Sequence, residues 1–120
     1  MTTHADCIFC RIARGEIPSR KVYEDDELMA FHDIQPSAPV HFLVIPKVHV
    51  ENLYDADLQH QQVLGRMMGM IGTLAREQGL DDGFRVVVNT GRVGRQEVYH
   101  LHLHVLGGPD PLGSGMPRRQ

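Results

Sequence analysis

Residues His100 to Leu106 read HLHLHVL, a run that alternates histidine with leucine and ends on two apolar residues. On an extended strand successive side chains point to opposite faces, which places the three histidines on one face, about 7 Å apart along the strand. Leu101, Leu103 and Val105 share the other face, where burial against a core is expected. A strand face made only of imidazoles is a poor design for packing, so we expect it to line a cleft.

Three interpretations of this histidine face are open on residue chemistry. The histidines can be solvated on a sheet surface. Two histidines two positions apart can also chelate a metal such as zinc, although a catalytic site needs a further ligand and an open position. A neutral imidazole is, finally, a good nucleophile towards phosphorus near pH 7, and flanking imidazoles can bind phosphate oxygens or move protons. The third interpretation makes most use of His102, which has a histidine on either side.

The overall composition restricts the class of partner. The 120 residues fit one domain with one core. A formal charge of −3 argues against a general nucleic-acid binder or an anionic-membrane binder, because neither partner attracts a negative surface. The segment 1–6 is short and mostly polar, and no apolar run in the sequence approaches the length that spans a bilayer. We therefore expect a cytoplasmic protein with no membrane or nucleic-acid partner.

The order of predicted elements favours an α+β domain with an antiparallel five-stranded sheet, one short helix and one long helix. Only one helix lies between strands, which argues against a doubly wound parallel sheet. We expect a single domain over residues 1–120, with a core at about 7–108 and a flexible tail at 109–120. The predicted helices are Cys7–Arg14 and Asp57–Gln78, and the predicted strands are Val22–Tyr23, Leu28–Ile34, Phe42–Ile45, Phe84–Asn89 and Tyr99–Leu106.

The chain resembles the histidine triad (HIT) family, whose motif of three alternating histidines followed by two apolar residues is matched in full by residues 100–106. The resemblance extends over about Cys7 to Gly108 and points to the nucleotide-binding Hint-like branch, in its bacterial zinc-containing type. It implies a homodimer with a continuous sheet, and three helix glycines at 65, 69 and 72 are compatible with a close helix approach. The segments that carry the resemblance are Ile17–Pro18, Tyr23–Asp26, Ala30–Ile34, Ala38–Pro39, His41–Lys47, Val87–Asn89 and Val98–His100.

The resemblance implies catalysis by the histidine strand. His102 attacks the α-phosphate of a purine nucleotide of the AMP or GMP type and forms a covalent nucleotidyl-histidine, which water hydrolyses. The carbonyl of His100 holds His102 Nδ1–H, and His104 assists at the phosphate. The activity that we expect is purine nucleoside phosphoramidase. A dinucleoside polyphosphate hydrolase and a nucleotide-binding regulatory module with incidental catalysis are the alternatives.

The resemblance also implies a nucleotide pocket. Asp33 matches the acid that takes both ribose hydroxyls, and a glycine-containing loop can bring backbone N–H groups close to phosphate. The apolar members of the pocket can equally be plain core. The expected purine slot is Phe9, Ile12, Ile17, Phe31, His32 and Ile34. The residues expected near the phosphate are His41, Asn89 and Gln96, and the further expected substrate-binding residues are Gly94, Glu97 and Val98.

Two residues of this loop depart from the family pattern. Arg95 stands where the family often has glycine, so the backbone conformation or the charge near the phosphate is expected to differ. Glu97 stands where many members carry a hydroxyl residue. A carboxylate there can donate a proton to the leaving group or discourage polyphosphates, and the sequence leaves both readings open.

The two cysteines form a CxxC pair, Cys7 and Cys10, at the start of the first helix. Such a pair can chelate zinc, remain as two inert reduced thiols or act in redox chemistry. The resemblance adds the two missing ligands, His49 and His100, and therefore implies a structural zinc site. The nucleophilic chemistry itself is expected to need no cofactor.

Overall fold

Five strands and two helices make up the part of the chain, residues 6–116, that the computed structural model describes. The helices are α1 (Ile8–Ala13) and α2 (Gln61–Glu77), and the strands are β1 (Lys21–Glu24), β2 (Leu28–His32), β3 (Val40–Pro46), β4 (Arg85–Val87) and β5 (Leu103–Gly107). The strands form one antiparallel sheet in the order β1-β2-β3-β5-β4. The predicted fold class is confirmed. The ends of the predicted 1–120 domain, at 1–5 and 117–120, lie outside the described residues.

Helix α2 covers one face of the sheet. Asp57 begins it by accepting a hydrogen bond from Gln59 N–H (3.1 Å), which caps a 3-10 turn at Leu58–His60 that runs directly into α2. Gly79, at φ 83, ends the helix in the left-handed conformation that glycine tolerates. A Cβ built at Gly65, Gly69 or Gly72 meets nothing within 4 Å. No other described part of the protomer therefore packs closely against these helix glycines. No helix among residues 6–116 is long and apolar enough to cross a membrane.

Alternation along the central strands separates a core face from a site face. Phe42 and Val44 of β3 point towards α2 and belong to a core cluster with Met67, Leu74 and Val105. His41 and Leu43, which alternate with them along the strand, therefore point to the opposite face. There α1 packs with Phe9, Cys10 and Ile12 on the sheet, against Met29, Phe31, Leu43 and Ile45. Because α1 is only six residues long, it leaves part of this second face open.

The histidine strand begins later than predicted. Pairing between β3 and β5 stops at Val44 opposite Leu103, so β5 runs from Leu103 and the predicted start at Tyr99 is wrong. The preceding segment pairs instead with a loop, since Leu101 N–H donates to the carbonyl of Val50 (2.6 Å). The segment before Leu103 therefore lies outside the ladder with β3, and of the three histidines only His104 belongs to the sheet.

Candidate active site

A pocket of about 700 Å³ opens on the site face of the sheet, between α1, β2, β3, β5 and the loop that precedes the histidine segment. It collects most of the predicted site residues from five separate parts of the sequence. Of these predicted residues, the pocket is lined by Phe9, Ile12, Ile17, Phe31, His32, Asp33, Ile34, His41, Asn89, Glu97, Val98, His102 and His104. Gly94, Gln96 and the side chain of His100 do not line it.

His102 is held in one tautomer. Its Nδ1 lies 2.7 Å from the carbonyl oxygen of His100, and a carbonyl can only accept, so Nδ1 carries the proton. Burial lowers the pKa of His102, which keeps the ring neutral at pH 7. The lone pair of a neutral ring with Nδ1–H lies on Nε2. His102 lines the pocket. Its ring is nearly perpendicular to that of Phe9, with the two centroids 5.1 Å apart, and this packing restricts its orientation.

A second chain of hydrogen bonds fixes His41 and His104. The backbone N–H of Ser37 donates to His41 Nδ1 (3.0 Å), so a neutral His41 must carry its proton on Nε2. That Nε2–H donates to Nδ1 of His104, 2.9 Å away, and the remaining proton of a neutral His104 is on Nε2. This series of hydrogen bonds therefore ends in an N–H donor, His104 Nε2–H. The ring centroids of His104 and His102 are 4.9 Å apart.

The same tautomers decide between two uses of the cluster made by Asp33, His41 and His104. The ligating atoms of the three residues are close enough to hold a metal ion by distance. A ligand nitrogen must offer a lone pair, however, and His41 Nε2 carries a proton because Nδ1 already accepts one from Ser37. The hydrogen bonds therefore favour a proton-donating chain over a second metal site.

The loop from Asn89 to Glu97 is braced from inside by the buried amide of Gln96. Its oxygen accepts from Asn52 Nδ2 (3.2 Å) and Gly91 N–H (2.9 Å), and its nitrogen donates to the carbonyls of Glu51 (2.7 Å) and Val98 (3.0 Å). These four bonds use both lone pairs and both protons of the amide. The side chain that we expected at the phosphate is thus committed to holding the loop.

Gly94 and Arg95 mark the tightest point of this loop. A Cβ at Gly94 would collide with the backbone of Thr90, and Asn89 Nδ2 closes the same turn by donating to the Gly94 carbonyl (2.8 Å). Arg95 adopts φ 63, and it is the non-glycine residue with positive φ among residues 6–116. That left-handed conformation costs about 1 kcal/mol or more for a residue with a side chain. Arg95 therefore holds a backbone conformation that glycine would adopt without this cost.

Some functional positions gave no signal in the sequence. Ser37 acts through its backbone N–H, and any residue except proline supplies one. Asn52 braces Gln96 across 44 residues of sequence, a distance that no local pattern encodes. The pocket is also lined by residues that we did not predict, namely Ile8, Pro18, Ser19, Gln35, Ser37, Leu43 and Arg95.

The cysteine pair meets two histidines on the inner side of the pocket wall. Cys7 Sγ lies 3.2 Å from His100 Nδ1, and Cys10 Sγ lies 3.2 Å from His49 Nδ1 and 3.4 Å from His100 Nδ1. All four donor atoms are within 4.8 Å of one another, and both cysteines are free and buried. Two thiols and two imidazoles at this spacing fit the tetrahedral coordination of zinc.

His100 is oriented for this cluster by a further contact. Its Nε2–H donates to the carbonyl of Pro46 (2.7 Å), which leaves the lone pair of Nδ1 directed at the two sulfurs. Outer contacts of this kind fix the tautomer of metal-ligating histidines in general. The residues present therefore fit a Cys2His2 metal site, as predicted from the resemblance.

Comparison with known proteins gives one family. The sequence pattern of the HIT domain matches residues 14–110. A purine nucleoside phosphoramidase of Escherichia coli K12 is 48% identical over 109 residues, 90% of this chain and 91% of that protein. A 14 kDa zinc-binding protein of Brassica juncea is 49% identical over 105 residues, 86% of this chain and 93% of that protein. The solved structure of a histidine triad protein of Clostridium difficile has a TM-score of 0.87 at 46% identity, and the match covers 94% of this chain and 99% of that chain.

We predict that His104 stays neutral in the folded protein until the solution is strongly acidic. Burial, followed by the neighbouring His102 and His41, lowers its pKa from 6.5 to about 4, and the nearby Asp33 carboxylate only partly opposes this. The unfolded chain takes up the same proton near pH 6.5. His104 therefore contributes stability that is complete above pH 6.5 and is lost as the pH falls towards 4.

The measurement is an NMR titration of the imidazole nitrogens. We expect His104 to show Nε2–H at neutral pH and a midpoint near pH 4. A His41→Phe variant, which removes the donor to Nδ1, should change the tautomer balance of His104, whereas Met68→Ala, at an exposed position of α2, should leave it as it is. A midpoint at about 6.5 would contradict the prediction.

Proposed function

The chain belongs to the HIT domain family and is one of its hydrolases, and we propose that it hydrolyses the P–N bond of purine ribonucleoside 5′-phosphoramidates. The observation that carries the proposal is the fixed tautomer of His102, with Nδ1–H on the His100 carbonyl and a lone pair on Nε2 in the pocket. The 48% identity with the phosphoramidase of Escherichia coli supports the choice of substrate.

In the proposed first step, His102 Nε2 forms a bond to the α-phosphorus while the P–N bond breaks, and the departing amine nitrogen takes up a proton from solvent water. A buried neutral imidazole suits this role, since it needs no deprotonation before attack. The N–H at the end of the His41–His104 chain donates a hydrogen bond to the phosphoryl oxygens, where negative charge increases in the transition state. Water then cleaves the nucleotidyl-histidine and releases the 5′-monophosphate.

The rest of the pocket suits a ribonucleoside. Phe9 and Phe31 meet edge to face, with ring centroids 5.5 Å apart, and form one apolar wall. Ile34, which also lines the pocket, is 94% exposed, and a bound purine would cover its apolar side chain. Asp33 Oδ1 accepts from Gln35 N–H (2.8 Å), which orients the carboxylate that we assign to the ribose hydroxyls.

Removal of His102 tests the mechanism. We expect His102→Ala to lose at least about a thousandfold of wild-type turnover of adenosine 5′-phosphoramidate, because the nucleophile is gone, while AMP binding measured by calorimetry persists. His60→Ala, which changes a histidine outside the pocket, is the matched control. Rapid alkaline quenching of the wild type, which preserves the acid-labile P–N bond to histidine, should trap a protein species heavier by one nucleotidyl group.

Three results would contradict the proposal. Wild-type turnover that survives in His102→Ala would remove the nucleophile from the mechanism. Faster cleavage of diadenosine tetraphosphate than of the phosphoramidate would point to a polyphosphate hydrolase. A wild-type protein that binds AMP but cleaves neither compound would be a nucleotide-binding module.

We also propose that the cluster of Cys7, Cys10, His49 and His100 holds a structural zinc ion. The fit of two thiols and two imidazoles within 4.8 Å supports this, as does the similarity to the zinc-binding protein of Brassica juncea. When bound, zinc supplies a cross-link between α1 and the segment that precedes β5. Its contribution to catalysis is indirect, because it fixes the residue whose carbonyl orients His102.

Substitution of one thiol tests the zinc site without an activity assay. We expect untagged wild-type protein to carry one zinc per chain by elemental analysis, and Cys10→Ser to carry much less. The variant should also melt at a lower temperature, since metal-binding free energy contributes to folding. His60→Gln should retain the metal. Full zinc occupancy in Cys10→Ser, or none in the wild type, would contradict the site.

We further propose that two chains form a homodimer through the edge of the sheet at β4. Strand β4 is the last in the sheet order, and Phe84 and Val86 beside its open edge are 40% and 37% exposed. An open edge flanked by apolar side chains is a surface for pairing with another strand. Joining two such edges would produce the continuous sheet that we expected from the family resemblance.

Light scattering tests the dimer. The chain has a mass of 13.5 kDa, so we expect a particle of twice that mass at micromolar concentration. Val86→Lys should shift the protein towards the monomer, because a lysine at a strand edge opposes pairing. Val48→Lys places the same charge at an exposed valine outside β4 and should leave the dimer intact. A wild-type monomer would refute the proposal.

A further inference from the structure

Arg95 is the residue of the pocket that the proposed mechanism does not use. Among the described residues that line the pocket it is the sole lysine or arginine, whereas Asp33 and Glu97 bring two carboxylates. Within the described residues 6–116 its guanidinium makes no hydrogen bond or ion pair, including none with Glu97. The positive charge is thus available to a ligand.

The backbone of Arg95 gives a second and independent reason to look for a role. The residue holds φ 63, a conformation that suits glycine, in a loop already closed by Gly94 and braced by Gln96. Strained residues of this kind cluster at functional sites, where the surrounding structure enforces them. A side chain at such a position lowers the stability of the folded protein relative to glycine. We take this cost as a reason to look for a function of the guanidinium.

The position of Arg95 relative to His102 indicates which part of a substrate it meets. His102 is 6% exposed at the floor of the pocket, while Arg95 and Glu97 are exposed at its rim, on either side of the buried Gln96. In an in-line displacement the leaving group departs from the side of phosphorus opposite to the nucleophile. With Nε2 attacking from the floor, the leaving amine points to the rim.

We propose that Arg95 determines leaving-group specificity by binding a carboxylate carried by the departing amine, so that the preferred phosphoramidates are those of amino acids with a free carboxyl group. Glu97 completes the recognition, since the amine gains positive charge as it leaves and a neighbouring carboxylate stabilises an ammonium. The same Glu97 disfavours a pyrophosphate leaving group, whose several negative charges would lie beside it. This inference rests on the proposed phosphoramidase activity and names its substrate class.

Two substrates that differ only in one charge test the role of Arg95. These are the adenosine 5′-phosphoramidates of alanine and of alaninamide, and the readout is the ratio of their kcat/KM values. We expect the wild type to favour the carboxylate by about two- to fivefold, the size typical of a solvent-exposed charge pair. The ratio should fall towards one in 0.5 M salt, because salt screens exposed charges.

Variants of the loop separate charge from backbone. Arg95→Gly and Arg95→Asn both suit positive φ and both remove the charge, so each should bring the ratio close to one, whereas Arg95→Lys should keep a preference for the carboxylate and Arg95→Glu should reverse it. Arg92→Asn, which removes a charge from the same loop outside the pocket lining, should retain the wild-type ratio.

The outcomes distinguish this inference from the proposed function. A wild-type ratio of one, or an unchanged ratio in Arg95→Gly, overturns the role of Arg95 even if both compounds are cleaved. A parallel loss of both activities in Arg95→Gly assigns the residue to loop structure and also overturns it. Failure of the wild type to cleave either compound refutes the phosphoramidase proposal itself.

Discussion

The hydrogen bond from His102 Nδ1–H to the carbonyl of His100 is the constraint on which the rest of the site depends. It selects the tautomer that leaves a lone pair on Nε2. The same His100 is fixed by its side chain, through Nε2–H to the Pro46 carbonyl and through Nδ1 to the two sulfurs. The cysteine cluster and the pocket are therefore joined by one residue, so that movement of α1 would be transmitted to the orientation of His102.

The arrangement follows from the division of the sheet into two faces. The long helix α2 packs on one face and contributes Met67, Ile71, Leu74 and Ala75 to the core cluster there, which leaves the other face free for the pocket. On the freed face a short helix leaves the imidazoles of His41 and His104 accessible from the pocket yet largely shielded from water. Burial lowers the pKa values of His41, His102 and His104, which keeps these three imidazoles neutral, and their hydrogen bonds then decide which nitrogen donates.

The sequence was sufficient for the fold class and for most of the pocket, because those depend on periodicity, on glycine and proline positions and on a motif with few other uses. It was insufficient where a role depends on tertiary contacts. Gln96 was assigned to the phosphate, but its amide is used up by Asn52, Gly91, Glu51 and Val98. The start of β5 was missed because alternation continues through His100 although pairing with β3 ends at Leu103.

Two adjacent residues of the loop from Asn89 to Glu97 are constrained in different ways, one by contact and one by backbone conformation. At Gly94 the backbone of Thr90 leaves no room for a Cβ, so glycine is required there by contact alone. At Arg95 the constraint is one of conformation, and a side chain is tolerated at a cost in stability. A pocket whose imidazoles are neutral and whose other charges are two carboxylates repels an anionic substrate unless a cation is added. In the role that we propose for Arg95, its side chain adds this cation from an exposed position of the loop, at the cost of the strained backbone.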